Sequence, residues 1–147
     1  MILRLSEIDQ EPDFSIHKAA GLIIEDRKLL ITRTEGKEIF INPGGKLAEG
    51  ETVLDALVRE HQEELSITID PDEAEFFETY YAEAAYDPGM WVKLEAFFVP
   101  RWEGTIAKAN EVAEIMRVDS SAIGEVALAS ILEEGIIPDL VAKGLID

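Results

Sequence analysis

Gly44-Gly45-Lys46-Leu47-Ala48-Glu49-Gly50-Glu51, followed by Thr52-Val53-Leu54-Asp55-Ala56-Leu57-Val58-Arg59-Glu60-His61-Gln62-Glu63-Glu64-Leu65, is the stretch on which the reading of this chain turns. Thr52 and Asp55 have the spacing of an N-terminal capping box. Leu54, Leu57, Val58, His61 and Leu65 then recur at helical spacing, which predicts a helix from about Val53 to Leu65 with one apolar stripe. Glu60, Glu63 and Glu64 are related as i, i+3 and i+4, so their carboxylates leave a second face of that helix together, and Ala56 one turn earlier leaves this face uncrowded. At about 5 Å and an effective dielectric of about 20, one such pair repels by roughly 3 kcal/mol. A hard divalent cation such as Mg²⁺ or Mn²⁺, which takes carboxylate and water oxygens, would relieve that repulsion, and the lack of thiolates argues against zinc or copper. Arg59 points about 100° round the helix, within reach of Glu51 or Glu63, and is read as their orienter. Ahead of the helix, Pro43-Gly44-Gly45 predicts a tight loop, whose unhindered N–H groups near a helix N-terminus suit a phosphate oxygen.

Working outward, Lys18 to Ile24 and Lys28 to Arg33 are apolar runs separated by Glu25-Asp26-Arg27, and they predict a hairpin. Phe40-Ile41-Asn42 is a short β-prone stretch, and Ile67 to Ile69, Phe76 to Tyr86 and Trp91 to Val99 also favour strands. Val92, Leu94, Ala96 and Phe98 alternate with Trp91, Lys93, Glu95 and Phe97, as in a strand with one drier face. Pro100 to Asn110 predicts a loop that leads into the acidic stretch Glu111 to Glu114, and Met116-Arg117-Val118 predicts one more short strand. Ser120 and Ser121 can cap a second helix ending near Gly135, and Pro138 can open a final helical turn that Gly144 terminates. Strands that flank a central and a terminal helix without strict alternation predict an α+β chain, or an α/β/α sandwich on a mixed sheet.

The 147 residues, 47% hydrophobic and 30% charged, suit one globular domain covering 1–147. Thirteen basic against thirty-one acidic residues give a net charge of −18, so the field repels polyphosphate backbones and disfavours nucleic-acid polymers and anionic membranes as partners. The absence of cysteine excludes disulfides and a cysteine nucleophile. Charges at Arg4, Glu7, Asp9 and Glu11 fall too early for a signal peptide, and no apolar run approaches the roughly 18 residues of a membrane span. A cytoplasmic protein is the expectation, with a homodimer left open.

Gly45, Glu51, Arg59, Glu60, Glu63 and Glu64 stand at the six fixed positions of a longer pattern, and together with Leu65, Ser66 and Ile67 they resemble the Nudix box, spanning about 45–67 here. Strands before the box, the run Asn42-Pro43-Gly44-Gly45-Lys46, and strands plus a terminal helix after it follow that family's usual order. The resemblance implies an α/β/α sandwich and a hydrolase that cleaves a diphosphate linkage in a small nucleotide, either a nucleoside triphosphate or a nucleoside diphosphate derivative such as ADP-ribose. It implies that Glu60, Glu63 and Glu64 hold Mg²⁺ or Mn²⁺, that the Gly45 carbonyl adds a ligand, and that Arg59 orients a glutamate. The general base is Glu60 or a later glutamate, Glu111 or Glu114. Arg33, Phe40, Gly44 and Lys46 are candidate substrate contacts, while core packing is the expected role of Tyr80, Tyr81, Tyr86, Trp91 and Trp102. A catalytically weak nucleotide sensor on the same fold is the rival reading.

Two positions depart from the family pattern. His61 replaces an aliphatic residue and falls on the apolar stripe, so it is expected as a buried, hydrogen-bonded imidazole and not as a ligand. Ser66 replaces a glycine where the helix ends, which predicts a shifted cap or about 1 kcal/mol of left-handed strain.

Overall fold

Two sheets share the strands of a computed structural model that describes residues 1–83 and 89–147. In chain order the strands are β1 (Ile2–Arg4), β2 (Ile16–Leu22), β3 (Ile24–Glu25), β4 (Lys28–Thr34), β5 (Phe40–Ile41), β6 (Gly44–Lys46), β7 (Glu75–Glu83), β8 (Trp91–Phe98) and β9 (Val112–Val118), with helices α1 (Val53–Leu65) and α2 (Ile137–Ala142). One sheet has the order β1-β7-β8-β2-β6, in which only β8 and β2 run parallel. In the other, β4 is central, with β9 along one edge and the short β3 and β5 along the other.

Helix α1 covers one face of these sheets. Leu57 and Leu65 are fully buried with Ala19, Ile23, Leu30, Phe97 and Val99, and Leu54 and Val58 pack against them. Helix α2 covers the other face, where Ile137 and Leu140 pack with Leu22, Ile31, Tyr80 and Ala96. The result is an α+β fold with helices on both sides of a mixed sheet. No helix among the described residues is long and apolar enough to cross a membrane.

Non-local pairing corrects several local expectations. The run Lys18 to Ile24 does not form one hairpin arm, because β2 is already flanked by β6 and β8. The chain changes sheets at Ile23, and only Ile24–Glu25 pairs with β4. The intervening Asp26 and Arg27 both have positive φ, 51° and 61°, as a two-residue turn matching strand twist requires. Gly44–Lys46 is a strand against Ala20–Lys18, not a free loop. Ile67 to Ile69 contributes only a bridge between Thr68 and Glu103. Strand β8 has no single dry face, since Phe97 packs under α1 while Leu94, Ala96 and Phe98 pack toward α2. The strand expected through Tyr86 is described as far as Glu83, and Tyr86 lies outside the described residues.

The acidic stretch before Met116 is already strand from Val112. Ser120–Ala122 makes one helical turn under the side chain of Asp119, and the last helix instead runs over 130–142. Gly135 therefore lies inside that helix. A Cβ there would sit 2.9 Å from the ring of Tyr80, so close packing explains the glycine. The helix widens to i→i+5 turns over Leu132–Ile136, just where Pro138 withholds a donor and its ring would press on the preceding turn.

Helix α1 has its capping box in place, with Thr52 accepting from the Asp55 N–H at 3.1 Å and Asp55 accepting from the Thr52 N–H at 3.0 Å. It ends at Ser66 in the left-handed region, φ 61° and ψ 28°. His61 is completely buried and its Nδ1–H donates to the Leu57 carbonyl at 2.8 Å. Its Nε2 faces Gly21, where a Cβ would stand 2.0 Å away, and has no hydrogen-bond partner.

Burial lowers the His61 pKa to about 4 from an ordinary 6.5. The unfolded chain therefore takes up a proton that the folded chain refuses, and stability is lost as pH falls through 6.5 toward 4, by about 3 kcal/mol. His61→Leu should be tolerated at pH 7 and become the more stable protein toward pH 4.5 in paired thermal melts. An equal pH slope in both would contradict the neutral buried ring. Ser66→Gly should gain up to about 1 kcal/mol by relieving the left-handed cap, read as a higher Tm.

Candidate active site

Arg59 is the hub of the charged face of α1. Its guanidinium grips Glu51 at two points, 2.7 and 2.9 Å, and also donates to Glu60 at 3.0 Å, to Glu63 at 3.3 Å and to the Lys46 carbonyl at 3.1 Å. The guanidinium, helped by the Ala48 N–H, holds the Glu51 carboxyl down at about 2. One arginine thus ties the segment before the helix to the helix itself.

Each carboxylate on this face has a different environment. Glu60 lies against Gly45, where a Cβ would come within 2.7 Å of its Oε1, so the glycine is what lets the carboxylate approach β6. Glu63 is half exposed. Glu64 is partly buried and accepts the Gly44 N–H at 3.0 Å. Burial, reinforced by the charges of Glu60 and Glu63 and opposed by that N–H, raises the Glu64 carboxyl to about 8.

A fourth carboxylate arrives from the loop before β9. The last carbonyls of a helix lack partners within it. Here the N–H of Ala109 donates to the Glu64 carbonyl at 3.1 Å, that of Ala107 to the Leu65 carbonyl at 3.0 Å, and the Asn110 side-chain amide to the Glu63 carbonyl at 2.6 Å. Docked on the end of α1 in this way, the loop brings Glu111 to a cleft of about 630 Å³ that is lined by Glu60, Glu63, Glu64, Asn110, Thr32 and Thr34, among others. That volume suits a small molecule.

Other expected contacts lie elsewhere. Alternation along β4 turns Thr32 and Thr34 to the cleft and Arg33 away from it, and Arg33 pairs at 3.3 Å with Glu114, its neighbour on β9. Glu114 is therefore not brought to the α1 carboxylates. Phe40 is a core residue, its backbone bonded to Ala127 and Ala129. The Gly44 N–H is already taken by Glu64. Lys46 is exposed on β6 and does not line the cleft. Tyr80 and Tyr81 are fully buried, and their hydroxyls donate to Asp139 and Glu11 respectively. Thr32, Thr34 and Asn110 were not legible as cleft residues, because strand alternation across a bulge and a loop docked on a helix end decide their place.

The donor set fits a hard divalent cation: four carboxylates and neutral oxygens line the cleft, and the crowding of Glu64 calls for positive charge. As the side chains stand, Arg59 draws Glu60 and Glu63 to itself, and no three acidic side chains among the described residues converge on one point. A cation would have to compete with that guanidinium.

With Glu64 uncharged in the fold but ionised in the unfolded chain above about 4.5, its contribution to stability in EDTA should fall as pH rises from about 4.5 to about 8. Glu64→Gln should flatten that fall in a series of melts, and adding Mg²⁺ at pH 8 should restore stability to the parent more than to the variant. Identical slopes would remove Glu64 as the crowded group.

The NUDIX domain family model matches residues 15–136. An 8-oxo-dGTP diphosphatase of Escherichia coli (strain K12) is 38% identical over 91 residues, which cover 58% of this chain and 67% of that protein. Among solved structures, the E. coli ORF135 protein superposes with a TM-score of 0.70 at 26% identity, covering 87% of this chain and 91% of that one. The MutT protein from Methanosarcina mazei Go1 superposes with a TM-score of 0.71 at 18% identity, over 92% of this chain and 99% of that one, a likeness of fold.

Proposed function

The chain belongs to the NUDIX domain family, and we propose that this Nudix hydrolase, a single domain over 1–147, is a pyrophosphohydrolase dependent on Mg²⁺ or Mn²⁺ that cleaves a diphosphate linkage in a small nucleotide. The gathering of Glu60, Glu63, Glu64 and Glu111 in one cleft, with Arg59 anchored on Glu51, is the observation that carries this reading. The relative that acts, by its name, on 8-oxo-dGTP puts nucleoside triphosphates first among substrates, ahead of nucleoside diphosphate derivatives.

In the reaction a water oxygen forms a new P–O bond, one anhydride P–O bond breaks, and a triphosphate yields a monophosphate and pyrophosphate. Glu60, Glu63 and Glu64 would hold the divalent cation, with the Gly45 carbonyl as a further ligand. When bound, that cation neutralises phosphate charge and makes water more acidic. Arg59 positions Glu60 and Glu63 while Glu51 keeps the guanidinium in place. Glu111 is the proposed acceptor of the water's proton, because it reaches the cleft without an arginine partner, whereas Glu60 is already held by Arg59. Retention of all four carboxylates favours an enzyme over a sensor.

A panel of nucleotides with Mg²⁺ or Mn²⁺, reading monophosphate and pyrophosphate by chromatography, should identify a substrate whose turnover stops in EDTA. Glu63→Gln or Glu64→Gln should keep the fold and lower turnover by about 10²-fold or more, since each deletes an ionic ligand, and Glu111→Gln should lower kcat more than it changes KM. Saturable binding of one nucleotide with no turnover of any would favour the sensor instead.

A further inference from the structure

Glu111 stands just before β9 in a segment that belongs to no helix or strand, yet it must keep a fixed place against the carboxylates of α1. On the sheet side, its carbonyl accepts the Glu35 N–H at 2.7 Å and continues the β4–β9 ladder by one step. That bond holds the main chain to β4 but does not set its distance from the helix. On the helix side, the N–H groups of Ala107 and Ala109 hold the stretch further back. The tie nearest to Glu111 is the side chain before it, where Asn110 Nδ2 donates to the Glu63 carbonyl at 2.6 Å. A carbonyl only accepts, so the nitrogen and not the oxygen of this amide must face it.

Asn110 also carries the bend that makes this reach possible. The Val112 N–H donates to the Ala109 carbonyl at 3.1 Å, closing a turn whose two central residues are Asn110 and Glu111. Within it Asn110 has φ 51°, in the left-handed region where asparagine is better tolerated than most side chains. Glycine would accept that angle without supplying a donor. Aspartate would accept it but offers no N–H and would add a charge to a cleft that already holds four carboxylates. Asparagine meets the angle, the donor and the neutrality together. Its partner is the backbone of Glu63, a proposed holder of the cation, and its successor is Glu111, the proposed proton acceptor.

We infer that Asn110 is a positioning residue, which through its bond to the Glu63 carbonyl fixes where the Glu111 carboxylate stands over the α1 carboxylates. The effect on catalysis rests on the hydrolase reading; the tie between loop and helix does not. A displacement of about 1 Å at a reacting group can cost about 10²-fold in rate. Lys108 supplies the contrast, since its Nζ donates to the Ala113 carbonyl at 2.9 Å and so braces the same loop against β9 and not against α1.

Asn110→Gly keeps the left-handed angle and deletes the donor. In EDTA and without nucleotide, it should speed amide hydrogen exchange at Ala107 and Ala109 by about tenfold while exchange in the middle of α1 stays as in the parent. With Mg²⁺ and a substrate nucleotide, it should lower kcat by about tenfold or more and leave KM within about threefold. The same change made in Glu111→Gln should cost the residual turnover less than about twofold, because its effect passes through a carboxylate already removed. Lys108→Met should leave kcat near the parent's. Unchanged exchange or unchanged kcat in Asn110→Gly, a full tenfold loss in the Glu111→Gln background, or an equal loss in Lys108→Met overturns the assignment. Faster exchange at Ala107 and Ala109 in a chain that turns over no nucleotide supports the tie and removes the hydrolase reading instead.

Discussion

Mutual repulsion of Glu60, Glu63 and Glu64 within little more than one turn of α1 is the constraint that the site is organised around. The protein answers it three ways. The Arg59 guanidinium sits against Glu60 and Glu63, and the doubly bonded Glu51 keeps it from swinging away. Solvent screens Glu63. Glu64, enclosed by the others, gives up its charge over most of the neutral range and accepts the Gly44 N–H. A cation entering this face would have to displace the Glu64 proton and draw Glu60 and Glu63 away from Arg59.

Such an arrangement needs α1 close to the sheet, and small residues set that distance. Gly21 lies over the His61 ring and Gly45 over the Glu60 carboxylate, so the helix meets β2 and β6 at two points where any Cβ would intrude. His61 fills the first contact at the expense of an orphaned Nε2, with its other nitrogen bonded within the helix. Burial of the unpaired nitrogen carries a cost, and it is smaller for the neutral ring than for the charged one, which is why burial lowers the His61 pKa. Beyond the helix, the left-handed Ser66 turns the chain away, and the open carbonyls of the last turn dock the loop that delivers Glu111.

What depended on near neighbours in sequence was legible. The bounds of α1, its Thr52–Asp55 box, the reach of Arg59 to Glu51 and the inward turn of His61 all follow from spacing along one helix. What depended on a partner strand was not. Nothing in Lys18 to Ile24 says that β8 and β6 will occupy both edges of β2 and force a change of sheet at Ile23. Glu111 and Glu114 look equivalent in the sequence. The register of β9 on β4 places Glu114 beside Arg33, while the loop docked on the end of α1 brings Glu111 to the cleft. Gly135 reads as a helix stop until the Tyr80 ring shows it to be a packing gap, and Pro138 reads as a helix start until the widened turn before it makes room for an interior proline.

A net charge of −18 gives the paired cations a meaning that the same ion pairs would lack in a balanced chain. Exposed pairs such as Arg101 with Glu73 add little to stability and mainly lower self-repulsion at the surface. Arg59 differs because its partners are fixed by loop, helix and strand at once, so its removal would free three carboxylates rather than one. The surrounding field repels an anionic nucleotide at long range, yet it falls away within about 8 Å at physiological salt. Capture must then come from short-range contacts whose local sign opposes the whole. A cation bound among the α1 carboxylates, where Gly45 lets Glu60 lie against β6, would supply such a contact.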